Sequence, residues 1–300
     1  MIKTAVVFAT DEVFAPLAKG LVLSIISTTR TDEFALNMVD IGCSPSTLSW
    51  MQENGVSVAQ FRRDKFLRSG KAPLKPYQDA QLCRPFLPNL FPNFDVYLWS
   101  DSDIWIQSPD SLRLYRDLAA QNKGKLIVSP LVDVSYRYFY SNCTEFSGYN
   151  YQWYRDTYGH TLASTYANKA VLSSGLFGLH SESDYWDRWA SEVSRIVQRE
   201  YESHHSLHLA EQTALNYLAY STDQFLPVSA MHNYNCHMGE LVRKGASVLV
   251  NVAPYPAVGV IHLTYASKMI GSYIENGLLY DRGNYLSLEE IERLKRIGHY

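Results

Sequence analysis

Two aspartates, Asp101 and Asp103, interrupt a strongly apolar stretch: Val96 to Trp99 precedes them and Ile104 to Ile106 follows at once. In extended backbone, residues two apart point to the same side. The pattern therefore predicts two carboxylates presented together at the end of a buried strand. Such carboxylates repel and need a cation or a cluster of donors. A hard divalent ion, Mn²⁺ or Mg²⁺, takes one or two carboxylates together with substrate phosphates. An Asp/Ser turn is the plainer reading of Ser100-Asp-Ser-Asp103, since these side chains bond the local backbone. The apolar flanks favour a built site, because a surface turn needs no such support.

Other residues suited to chemistry are spread along the chain. Asp11 ends the first apolar run, where parallel sheets bind ligands. Arg84 lies in a predicted helix just ahead of the aspartates, either on a solvated face or as a clamp on carboxylate or phosphate. Val171 to Leu179 reads as a strand with two glycines, of which Gly175 marks a bulge or a close approach. Glu211 and Gln212 fall in the first turns of a helix, where the dipole favours an acid. Met231 to Met238 is a polar loop with three ligand types, His232, Asn233 and His237. His262 stands near the end of a last core strand and is followed by Thr264, Tyr265 and Lys268; a lone strand histidine is more often a satisfied core group. His204, His205 and His208 have metal-compatible spacing, but a polar turn between helices explains them better.

These residues require a scaffold, and the hydrophobic pattern supplies one. Ile2 to Ala9 predicts a central strand. A helix follows Pro16, and then come a strand over Phe34 to Ile41, a helix over Leu48 to Glu53 and a strand over Val56 to Val58. This alternation opens a doubly wound sheet. Arg62 to Lys75 reads as a loop and 77–90 as a helix. Leu112 to Ala120 and Asp184 to Tyr201 read as helices, the latter with Trp186, Trp189, Val193, Ile196 and Val197 on one face. Lys125 to Ser129, Phe225 to Val228 and Val258 to Leu263 complete the strands. Val132 to Tyr166 fits neither period and is read as an excursion over the sheet, a natural substrate wall. Ser287-Leu-Glu-Glu290 is a capping box opening a final helix.

The 300-residue chain carries 27 basic and 30 acidic residues, a net charge of -3, which excludes the basic excess of a nucleic-acid binder. Hydrophobic content of 46% rules out a disordered chain. No segment is long and apolar enough to cross a bilayer, and the start lacks signal-peptide architecture. Cys43, Cys83, Cys143 and Cys236 are scattered, so free thiols and a cytoplasmic location are expected. No G-x-G-x-x-G follows the first strand, which argues against a dinucleotide.

Together, in order and spacing, the segments resemble glycosyltransferase family 8, the retaining class with the GT-A fold. Val7-Phe-Ala-Thr-Asp-Glu12 resembles its first strand and nucleotide turn. Arg84 falls where the family has an arginine. Tyr97-Leu-Trp-Ser-Asp-Ser-Asp-Ile104 resembles Y-L-D-x-D, and Ser173-Ser-Gly-Leu-Phe177 resembles N-S-G-x-F. Glu211-Gln-Thr-Ala-Leu-Asn216 resembles D-Q-D-x-L-N, and Ile261-His-Leu-Thr-Tyr-Ala-Ser-Lys268 resembles H-F-x-G-x-x-K-P-W. Three departures stand out: Ser173 replaces the leading Asn, Thr213 replaces the last Asp of D-Q-D, and no Pro-Trp follows Lys268.

The resemblance implies an α/β fold of GT-A type, a Rossmann-like doubly wound mixed sheet with helices on both faces. It implies one domain over 1–300, with a nucleotide half at 1–110, a sugar and acceptor half at 111–270 and a C-terminal helix at 271–300. It implies a metal-dependent retaining transferase moving a hexose from a UDP-sugar to a saccharide or glycan. Asp101, Asp103 and His262 would hold Mn²⁺ or Mg²⁺. Ala9, Thr10, Asp11, Arg84, Asp101, Ser102, Ser174, Gly175 and Lys268 would line the nucleotide sugar, with Asp11 toward the base. Gln212 would lie beneath the anomeric carbon and Glu211 would hold sugar hydroxyls; with Asp103 they form the expected catalytic set. Competing readings are a nucleotidyltransferase, a non-catalytic nucleotide-sugar binder on the same fold, and a self-glycosylating, glycogenin-like protein. The first would want a Gly-rich phosphate loop that Thr10 to Pro16 lacks.

Overall fold

A computed structural model describes residues 2–30, 32–67, 76–203, 209–244 and 247–264. Its main sheet is built from β1 (Thr4–Thr10), β2 (Ala35–Asp40), β3 (Ser57–Gln60), β4 (Val96–Ser100), β6 (Leu126–Pro130), β7 (Leu172–His180) and β8 (Phe225–Pro227). A small sheet holds β5 (Ile104–Ile106), β9 (Tyr234–Asn235) and β12 (Val260–His262), and β10 (Leu241–Lys244) with β11 (Ser247–Val250) forms a hairpin. The helices are α1 (Ala15–Ile26), α2 (Pro45–Glu53), α3 (Arg63–Phe66), α4 (Pro76–Leu82), α5 (Leu87–Leu90), α6 (Pro109–Gln121), α7 (Tyr138–Tyr158), α8 (His160–Tyr166), α9 (Tyr185–Ser203) and α10 (Ala210–Thr222).

The seven strands run in the order β3-β2-β1-β4-β7-β6-β8. The first four are mutually parallel, whereas β7 runs antiparallel to both β4 and β6. The fully buried strands are apolar on both faces because helices cover both. Ala5, Val7 and Ala9 of β1 pack with Tyr97 and Trp99 of β4 against α9 and α10. The alternate residues Val6, Phe8, Val96 and Leu98 pack against α1 and α6. The sheet is thus mixed and doubly wound, as expected.

The stretch read as a loop over Arg62 to Lys75 holds the short helix α3, and three further corrections are needed. The helix expected over 77–90 is broken into α4, a 3₁₀ turn at Arg84–Phe86, and α5. Pro85 and Pro88 sit at the first turns of the later pieces, since proline lacks the donor that a continuous helix needs. The excursion expected from Val132 to Tyr166 is largely helical, as α7 and α8. Its stripe is made of rings: Phe139, Phe146 and Trp153 recur every seven residues and contact in sequence. Tyr154 and Tyr158 then pack on α8 and α10 through Tyr166 and Tyr217. Counting tyrosine as polar hides that period. Finally, the hairpin of β10 and β11 was not anticipated. The C-terminal helix, Lys268 and the trio His204, His205 and His208 lie outside the described residues.

No helix among the described residues is long and apolar enough to cross a membrane. All four cysteines are free thiols.

Candidate functional site

The carboxyl ends of β1, β2 and β4 meet at one edge, and the antiparallel β7 begins there. Asp101 follows β4 directly, and its N–H donates to the Gly175 carbonyl at 2.7 Å. The chain then turns: Ile104 N–H donates to the Asp101 carbonyl at 3.2 Å and β5 starts. Asp101 and Asp103 are therefore brought together by a turn and not by extended backbone. The turn expected of Asp and Ser and the carboxylate pair expected of a site are one feature.

β12 pairs with β5, placing His262 opposite Ile104, and Leu263 N–H donates to the Asp103 carbonyl at 3.0 Å. This register carries the His262 ring to the carboxylates. Nε2 lies 3.4 Å from Asp103 Oδ1 and 3.8 Å from Asp101 Oδ2. The three residues offer ligand atoms all within 4.8 Å of one another, and Asp103 and His262 are buried. Two carboxylates and an imidazole nitrogen are the hard and borderline donors that suit Mn²⁺ or Mg²⁺, so the set fits such an ion in kind.

The other ring nitrogen, Nδ1, lies 3.0 Å from Asn233 Oδ1. Asn233 is fully buried, and its Nδ2 donates to Ser173 Oγ at 3.1 Å. Gly175 sits against the same ring. A Cβ there would overlap His262 and come within 3.0 Å of Asp101 Oδ2.

Across β7 a second polar group forms. Arg84 is buried, with Nη2 donating to Asp101 Oδ1 at 2.5 Å. Its Nη1 donates to Ser174 Oγ at 2.6 Å and to Glu211 Oε2 at 2.7 Å. The guanidinium stacks on Trp99, 4.9 Å from the ring centroid, and Trp99 Nε1 donates to Asp101 Oδ1 at 2.8 Å. Burial opposes the charge on Arg84, but Asp101 and Glu211 outweigh it and hold its pKa above the ordinary value. Burial raises Glu211 to about 7, with Arg84 pulling down and Asp101 pushing up. Glu211 Oε1 is buried and has no hydrogen-bond partner among the described residues. Two carboxylates, Asp101 and Glu211, thus share one guanidinium, while Asp103 adds a further acid at the same edge.

α10 supplies Glu211 and Gln212 and is tied to β7 by Asn216. The Asn216 Oδ1 accepts the Leu172 N–H at 2.7 Å, and Nδ2 donates to the Leu172 carbonyl at 2.9 Å. Gln212 Oε1 accepts from Ser174 Oγ at 3.0 Å and from Ser174 N–H at 3.2 Å. Successive serines of β7 therefore serve opposite sides, Ser173 toward Asn233 and Ser174 toward Arg84 and Gln212, as strand alternation requires.

At the neighbouring strand end, Asp11 Oδ1 accepts the Phe14 N–H at 2.9 Å, and Thr10 Oγ1 donates to the Asp11 carbonyl at 3.0 Å. Ala9 and Thr10 are buried in β1. Ser102 occupies the turn between the two aspartates. Of the loop's three ligand types none joins the metal-like group: His232 Nδ1 bonds Ser111 Oγ at 3.0 Å, Asn233 backs His262, and His237 bonds Thr264. Burial, aided by His262, lowers His237 to about 4. Trp99 was missed as a site residue, and Ser173 was noted only as a departure from the family motif. The alternation of β4 was the signal for the first, and the Ser-Ser-Gly run for the second.

No family model and no curated protein sequence matches the chain. Solved structures do. The galactosyltransferase LgtC, crystallised with donor and acceptor sugar analogs, matches with TM-score 0.57 and 13% identity over 99% of this chain and 96% of that one. The glycosyltransferase GlyE of Streptococcus pneumoniae TIGR4 matches with TM-score 0.55 and 14% identity over 99% of this chain and 63% of that one. Mouse xyloside xylosyltransferase 1 matches with TM-score 0.53 and 12% identity over 87% of this chain and 96% of that one. At these identities the likeness is one of fold, and the chain has the GT-A fold of these glycosyltransferases.

Proposed function

We propose that this chain is a retaining hexosyltransferase that uses a UDP-sugar and a divalent cation, Mn²⁺ or Mg²⁺, and passes the hexose to a saccharide or glycan. The observation that supports it most is the pairing, at one sheet edge, of the Asp101, Asp103 and His262 group with the Arg84, Glu211 and Gln212 group. Asp101, Asp103 and His262 would hold the cation, which supplies a Lewis acid for the leaving diphosphate. Asp11, Thr10 and Ala9 are proposed for the nucleotide and Lys268 for its phosphates. Arg84 fixes Asp101 and Ser174, and through Ser174 it orients Gln212. A solved active-site mutant of LgtC exchanges a glutamine for a glutamate, which supports assigning Gln212 to the reacting face here.

In the proposed step the acceptor oxygen bonds the anomeric carbon from the face the diphosphate leaves. The carbon–oxygen bond breaks with its electron pair on the diphosphate, and the departing phosphate takes the acceptor's proton. Glutamine is a poor nucleophile, so Gln212 supports an oxocarbenium-like centre without a covalent bond. The aromatic stripe of α7 is proposed as the acceptor-side wall: Tyr138 at its start packs on His237 beside the site, and Tyr149 and Trp153 further along are stacked.

The test is incubation with a panel of UDP-hexoses, with Mn²⁺ or with chelator, followed by NMR of the released sugar or product. Metal-dependent cleavage of one donor with retained α-configuration is expected. Cleavage that survives chelation, or an inverted product, overturns the reading; binding without cleavage favours a non-catalytic binder.

A further inference from the structure

We propose that Asn233 is a positioning residue for His262, selecting the tautomer that leaves Nε2 free for the cation. This rests on the metal site proposed above, but its geometry is independent of any sugar. The Asn233 side chain is fully buried and lies between two groups. Its Nδ2 donates to Ser173 Oγ at 3.1 Å. That leaves Oδ1 facing Nδ1 of His262 at 3.0 Å. An amide oxygen only accepts, so Nδ1 must carry the proton. Nε2 is then the lone-pair nitrogen, and it is the one facing Asp101 and Asp103.

Two further features make the arrangement specific. Asn233 is held by backbone on both sides: its N–H donates to the Ala230 carbonyl at 3.0 Å, and its own carbonyl accepts from Asn235 Nδ2 at 3.1 Å. Gly175 closes the remaining side of the ring, so His262 has little freedom to rotate away. Histidine ligands generally rely on such a partner at the far nitrogen, and its loss typically costs about 10–100-fold in metal affinity. Here the partner is an amide whose Nδ2 is engaged by Ser173 of β7, which leaves the oxygen for the ring.

The experiment labels histidine ring nitrogens with ¹⁵N in the full chain and reads His262, assigned by difference from His262→Gln, without metal. Mn²⁺ affinity is then measured by electron paramagnetic resonance. Wild type should show protonated Nδ1. Asn233→Leu should move the proton toward Nε2 and weaken Mn²⁺ binding by roughly 10–100-fold, and Asn233→Asp, which keeps the acceptor, should restore the tautomer. Asn233→Ala removes the amide without adding bulk and provides the second variant if the leucine variant does not fold; it should move the proton the same way. A wild-type tautomer and wild-type affinity in folded Asn233→Leu, or in Asn233→Ala where the former fails to fold, overturn the proposal. A wild type that binds no Mn²⁺ overturns the metal reading instead, while the ring signals still decide the role of Asn233.

Discussion

Arg84 Nη2 lies 2.5 Å from one oxygen of Asp101, and the other oxygen of the same carboxylate lies 3.8 Å from His262 Nε2. Asp101 thus divides its two oxygens between a fixed cation and the candidate metal position. Asp103 is more deeply buried and stands closer to the histidine, at 3.4 Å. The two aspartates should therefore respond differently to substitution.

Asp103→Asn keeps the shape of a buried side chain and removes only its charge. It should lower Mn²⁺ affinity by more than the roughly 10–100-fold of a second-sphere change and leave the melting temperature of the metal-free protein nearly unchanged. Isothermal titration with Mn²⁺ and a thermal melt check both halves. Unaltered Mn²⁺ binding would remove Asp103 from the ligand set.

Glu211 carries a pH signature. Its pKa is raised from 4.5 to about 7 in the fold, so the native state keeps a proton that the unfolded state has lost. Stability should be greatest below about 4.5 as far as this group is concerned, fall as pH rises through about 7, and level off above. Glu211→Gln should flatten that slope. Urea denaturation of both proteins at pH 5 and pH 8 measures it; parallel slopes would show that Glu211 does not titrate in this window.

Arg84→Met removes the guanidinium from two carboxylates, one of them fully buried. Breaking a buried pair in this way costs about 3–5 kcal/mol while the orphaned acid stays ionised. Because Glu211 can take up a proton instead, the loss should be smaller at pH 5 than at pH 8. Arg84→Lys should recover only part of it, since one ammonium cannot reproduce the forked contacts to Asp101, Ser174 and Glu211. Equal losses at both pH values would mean that Glu211 is not the residue left unpaired.

Gly175→Ala should act on the histidine. The added methyl overlaps the His262 ring, and overpacking of this kind costs about 1–3 kcal/mol. The ring is the part that can yield, so Mn²⁺ affinity should fall while the β4–β7 ladder persists. Wild-type affinity in a folded Gly175→Ala protein would place the ring elsewhere.

The sheet was readable because its strands are continuous apolar runs, and Asp101, Asp103 and His262 because polar groups at strand ends are conspicuous against them. α7 was not readable, since its packed stripe is built from the half-buried rings Phe139, Phe146 and Trp153 and the buried Tyr154 and not from aliphatics. The partners of Arg84 were also beyond the sequence: Ser174 and Glu211 lie 90 and 127 residues away, and nothing local says which carboxylate a buried arginine meets. Asn233 was visible only as a ligand type in a polar loop. Its role depends on the pairing of β12 with β9, which places His262 opposite Asn235 and two short strands side by side.

That pairing has a consequence for how the molecule opens. Asp101 hangs from the large sheet, whereas His262 belongs to a three-residue strand of the small one. An ion held by both would clip the two sheets together at their shared edge. Local unfolding of the small sheet would then require the ion to leave first. Amide hydrogens of β9 and β12 should exchange more slowly when Mn²⁺ is added, while those deep in β1 and β4 keep the exchange rates set by global unfolding.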